Sequence, residues 1–172
     1  MILKAFKEKS NRKYVNNLLA TRQPAVNNNK IKTIAVLLNT SEFHEFEVFR
    51  VYFKELNLSS PKHKIVAFTL DDKLEHNKWN THFSPKDFGW KGKIKNLDLQ
   101  SFIDEPYDML ICFFKNEVLQ LNMITAASKA NFKVGISRND ERLYDLIIDV
   151  NLKDINVFKQ ELKKYLNILN KL

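Results

Sequence analysis

Thirteen residues from Phe83 to Lys95, reading Phe-Ser-Pro-Lys-Asp-Phe-Gly-Trp-Lys-Gly-Lys-Ile-Lys, hold the densest set of recognition groups in the chain. Gly89 and Gly92, two of only three glycines, fall here, and glycine is the residue that lets a backbone take positive φ or pass close to a neighbour. An irregular loop is therefore expected. Phe83, Phe88 and Trp90 are interleaved with Lys86, Lys91, Lys93 and Lys95. Aromatic faces stack on nucleobases while ammonium groups meet phosphates, and the same pairing can anchor a protein partner. The competing expectation is that the rings fold back as a lid on the core and leave the lysines merely solvated.

A second cationic stretch opens the chain. Lys4, Lys7, Lys9, Arg12 and Lys13 alternate with Ile2, Leu3, Phe6, Tyr14, Val15, Leu18 and Leu19 near helical spacing, which predicts a basic amphipathic helix over residues 2 to about 20. Ser10-Asn11 weakens its middle. Such a helix can grip nucleic acid, lie on an anionic membrane, pack on a protein partner, or dock on its own domain with the lysines outward. Residues 1–30 hold seven Lys/Arg against one acid, and residues 86–95 hold four lysines against Asp87, so these two segments account for the whole net charge of +8. Two local basic segments on a near-neutral body point to a polyanionic partner.

Small-molecule chemistry has weaker signals. Asn39-Thr40-Ser41, followed by Glu42, can cap a helix or hold a phosphate at its N-terminus, and Arg138 can clamp a carboxylate or phosphate. Ordinary capping and a surface ion-pair patch with Asp140, Glu141 and Arg142 compete with those readings. The glycine fingerprint of dinucleotide sites, the P-loop and the Gly-x-Ser-x-Gly elbow are missing. His44, His63, His76 and His82 are scattered; His76 and His82 flank Trp79 beside Glu75, too few ligands for zinc. Asp71-Asp72 and Asp104-Glu105 read as turn residues, and Cys112, inside Met109–Phe114, reads as a buried hydrophobe without a base to activate it. Neither a metal nor a cofactor is implied.

The elements that must position these groups alternate. Strands are expected at Ile31–Leu38, Lys64–Leu70, Met109–Phe114, Phe132–Ser137 and Leu146–Val150, the last at or near an edge. The first is apolar on both faces, as a central parallel strand is. Helices are expected from Phe43 to Leu56 on a phenylalanine stripe, from Asn96 to Ile103, from a cap at Asn116 to about Ala130 with Asn131 as a left-handed C-cap, and after a cap at Asp154. This rhythm predicts a three-layer α/β sandwich with a mostly parallel sheet of about five strands, Rossmann-like or flavodoxin-like, plus the N-terminal basic amphipathic helix. Residues 1–29 form the helix and a linker around Pro24 and Asn27–Asn29, ahead of the single domain 30–172, with docking on the domain and extension from it both open. The lone cysteine, the absence of any span-length apolar run and the interrupted apolar start point to the cytoplasm.

At Phe83–Lys93, Leu121–Ile136 and Asp140–Ile148 the chain resembles a family of small bacterial proteins without an assigned activity. The resemblance runs from Met1 to the last helix. It implies a small cytoplasmic α/β protein whose aromatic-lysine loop is a family feature, and it brings no catalytic residues.

The expected function is non-catalytic binding of a polyanion, above all RNA or the ribosome, through the basic helix and loop 83–95. The alternatives are a nucleotide- or sugar-nucleotide-binding domain or enzyme using Asn39, Asp71, Lys115 and Arg138, and a protein or membrane-surface adaptor using Ile2, Leu3 and Phe6.

Overall fold

The computed structural model describes residues 2–56, 62–70 and 81–172. Asp71, Asp72, Glu75, His76 and Trp79 lie outside them. Six parallel strands, β1 (Thr33–Asn39), β2 (Lys62–Phe68), β3 (Thr81–Phe83), β4 (Met109–Phe113), β5 (Phe132–Gly135) and β6 (Leu146–Ile147), lie in the order β3-β2-β1-β4-β5-β6. This is the strand order of doubly wound dinucleotide-binding folds rather than of flavodoxins, and it reverses between β1 and β4. Five strands are those expected from apolar runs; β3 was not, because Thr-His-Phe is too short to show a period. β6 is an edge strand, as expected.

Each strand alternates its side chains between two cores. Ile34, Val36, Leu38, Met109, Ile111 and Phe113 face α2 (Phe46–Glu55) and α5 (Ile155–Ile168). Ala35, Leu37, Leu110 and Cys112 face α1 (Ile2–Ala20), α3 (Leu97–Asp104) and α4 (Leu119–Ala127). The three layers are thus complete, and a strand buried on both faces explains why β1 and β4 read as unbroken apolar runs. The phenylalanine stripe is core: Phe43, Phe49, Phe113 and Phe158 form a chain of edge-to-face rings with centroids 5.0 to 5.9 Å apart.

Several boundaries shift. α2 starts at Phe46 and α4 at Leu119, later than the caps expected at Asn39–Ser41 and Asn116. Asn131 is not left-handed; positive φ outside glycine occurs only at Lys91 and Asn170 among the described residues. The N-terminal helix docks on the sheet layer. Val15 and Leu19 join the core under α4, and the segment after it is tied down by Arg22, which pairs with Asp145 and donates to the Arg142 carbonyl. No described helix is long and apolar enough to cross a membrane.

Candidate functional site

The aromatic-lysine segment leaves β3 through a one-turn 3₁₀ helix, Pro85–Asp87. Ser84 and Asp87 cap it reciprocally, the Ser84 hydroxyl accepting from the Lys86 amide and the Asp87 carboxylate from the Ser84 amide. The chain then closes a narrow hairpin: Phe88 bridges Ile94, and the Gly89 amide donates to the Lys93 carbonyl at 2.7 Å. Lys91 (φ 52°) and Gly92 (φ 81°) form the tip, both left-handed, as a hairpin turn of the primed type requires.

Three residues of α1 hold that tip. Asn11 is 3% exposed; its Nδ2 donates to the Gly89 carbonyl at 3.0 Å and its Oδ1 accepts from the Gly92 amide at 2.9 Å. Ser10 Oγ accepts from the Lys91 amide at 3.2 Å. The Tyr14 ring lies directly beneath Gly92, where any Cβ would sit 2.4 Å from its Cδ1. Gly92 is thus required twice, for its backbone conformation and for the ring below it. Burial raises the Tyr14 phenol above its ordinary pKa, with Asp104 adding to the effect.

The Ser10-Asn11 pair, which on sequence only weakens a helix, is the joint that unites the two basic segments. The hint in the sequence is the polar, poorly helix-forming pair at mid-helix; its partner, 78 residues away, is set by tertiary structure alone. Beside the joint, Ser10, Lys13, Tyr14, Asn17 and Lys91 line an open cleft of about 270 Å³.

The expected binding residues divide. Trp90 is 45% exposed at the hairpin tip. Lys4, Lys9, Lys13, Lys86, Lys91, Lys93 and Lys95 are exposed and Lys7 is half-buried. Arg12 is exposed and pairs with Glu117 at 3.4 Å. Among the described residues, Lys4, Lys7, Lys9, Lys13, Lys91, Lys93 and Lys95 take part in no ion pair. Phe88 must be removed from the stacking set. It is 1% exposed and packed with Phe83 in the core, held in the bridge to Ile94, whereas Trp90 opens the turn at Lys91 and Gly92 and so escapes the alternation of the ladder. The first two turns of α1 bury no side chain, so Ile2, Leu3 and Phe6 lie open beside the lysines.

The small-anion candidates meet at the carboxyl ends of the strands but satisfy one another. Glu42 turns its carboxylate into the crevice between β1 and β4, accepting from the Lys115 and Asn116 amides, both at 3.0 Å, and from Asn39 Nδ2 at 2.9 Å. Asn39 Oδ1 accepts from the Ser41 amide and hydroxyl, and Thr40 donates to the Phe68 carbonyl. Arg138 pairs with Glu141 and Asp149, and Lys115 also pairs with Asp149. Bonds from Lys115 and Arg138 lower the Asp149 pKa. The place where such folds seat a phosphate is held by the chain's own carboxylate, and Asn39, Thr40, Ser41 and Arg138 each bond other groups of the chain. Cys112 is fully buried, its thiol pushed up to about 12 by burial, which rules out a ready thiolate. Among the described residues no three His, Cys, Asp or Glu side chains gather closely enough to hold a metal.

The chain matches the family of unknown function DUF6913 over residues 7–169 and belongs to it. No curated protein and no solved structure matches the chain.

Proposed function

We propose that this member of the family binds a polyanion, above all a single-stranded or loop region of RNA such as the ribosome presents, on the composite surface of α1 and the 88–95 hairpin. The carrying observation is the Asn11 joint. It ties two segments far apart in sequence together and brings Lys13 and Lys91 to the rim of the same cleft, which supports a shared anion-binding surface. Trp90 is the stacking ring, and the unpaired lysines around it supply phosphate contacts. The crevice filled by Glu42 counts against the nucleotide or sugar-nucleotide reading.

Fluorescence anisotropy with a labelled single-stranded RNA tests the proposal. A face that neutralises about five phosphates gives a slope near −3.5 in log K against log salt. Trp90→Ala and Lys91→Glu/Lys93→Glu weaken binding severalfold without changing the unfolding midpoint. Absence of binding at low salt overturns the proposal, as does flotation with anionic liposomes that depends on Ile2, Leu3 and Phe6 while RNA stays free.

A further inference from the structure

A second cleft, of about 180 Å³, opens between the end of α1 and the end of α4, away from the hairpin. Lys133, on β5, reaches its floor and is 5% exposed. Its Nζ donates to the Thr125 carbonyl at 2.7 Å, one of the carbonyls left free in the last turn of α4. An ammonium has three donors, and the other two have no protein acceptor among the described residues. Arg22 and Lys129 also line the cleft. Lys129 pairs outward with Asp104, while Arg22 takes one oxygen of Asp145 and the Lys133 backbone amide takes the other. The Lys133 ammonium itself therefore bonds no carboxylate among the described residues, and a buried charge without a counter-ion is costly. Of the rest of the wall, Leu18, Ala25, Ala126 and Ala130 are apolar, and Gln23 and Ser128 are polar.

We propose that this cleft binds a small carboxylate with a short apolar tail, its head between Lys133 and Arg22 and its tail against Leu18, Ala25 and Ala126. The carboxylate supplies the missing acceptor and the missing negative charge together. Burial, with Arg22 next, presses the Lys133 pKa down to about 8. Arg22, Cys112, Lys129 and Asp145 are the ionisable groups around it.

The test is thermal unfolding and calorimetric titration of the full chain with butyrate, with inorganic phosphate as the second probe. Butyrate at about 20 mM raises the wild-type midpoint by stabilising the native state, and its binding weakens as pH rises past 8, where Lys133 loses its proton. Phosphate, lacking a tail, shifts the midpoint less. Lys133→Met abolishes the butyrate shift, and Ala25→Leu does so by filling the cleft even if the lysine variant folds poorly. No shift in the wild type, an equal shift in Ala25→Leu, or a phosphate shift exceeding that of butyrate overturns the proposal.

Discussion

Replacing Asn11 by alanine tests the joint on which the composite surface depends. The side chain makes two bonds to backbone groups of the hairpin, 3.0 Å to the Gly89 carbonyl and 2.9 Å from the Gly92 amide. Gly89 is buried, so its orphaned carbonyl costs about 1–3 kcal/mol, while half-buried Gly92 regains water and loses about 1 kcal/mol. Alanine returns roughly 0.5 kcal/mol through better helix propensity. The net loss is about 2.5 kcal/mol, which for a chain of this size lowers Tm by roughly 5–10 °C. Urea unfolding measures the total, and hydrogen exchange at the Gly92 amide reports the joint itself, because that proton loses its acceptor. Asn11→Asp keeps the acceptor for Gly92 but sets a carboxylate oxygen against the Gly89 carbonyl, so it destabilises at least as much. RNA affinity falls in parallel, since the hairpin no longer holds one pose against α1. An Asn11→Ala protein within about 0.5 kcal/mol of wild type, with unchanged exchange at Gly92, refutes the reasoning.

Gly92→Ala meets both a φ of 81° and a ring 2.4 Å from the new Cβ, so it costs more than about 2 kcal/mol; adding Tyr14→Ala relieves the clash but not the backbone strain, and a double-mutant cycle by urea unfolding reads the coupling. Glu42→Ala strips the Lys115 and Asn116 amides of their acceptor and lowers stability by about 1–3 kcal/mol in the same assay. The lowered pKa of Lys133 gives stability a defined pH dependence. The unfolded chain holds that proton up to about 10.5 and the folded chain only to about 8, so between those values the unfolded state binds more protons and stability rises with pH. The gain is about 2 kcal/mol between pH 8 and 10. It reverses above pH 10, where tyrosines such as Tyr107, raised to about 12 by burial, hold protons only when folded. Denaturation across this range shows the rise in wild type and its loss in Lys133→Met; a flat wild-type profile contradicts the burial argument.

Much of the architecture was legible because parallel strands buried on both faces announce themselves as continuous apolar runs, as Thr33–Asn39 and Met109–Phe113 do. The three-residue β3 was not legible, since its pairing with β2 draws on the neighbour's hydrogen bonds rather than on its own pattern. Capping residues misled for a related reason. Asn39 and Glu42 have the spacing of a cap, yet their side chains are spent on a turn and on the far side of the β1–β4 crevice.

The candidate surface divides along the same line. Composition and order along the chain established two cationic segments, one helical and one glycine-bearing, on a neutral α/β body. Only the folded chain decided that Phe88 is core and Trp90 is surface, that Ser10, Asn11 and Tyr14 receive the hairpin, and that Lys133 is buried beside Arg22. Local propensity and charge are properties of neighbours in sequence. Which donor meets which acceptor across 78 residues depends on packing every element at once.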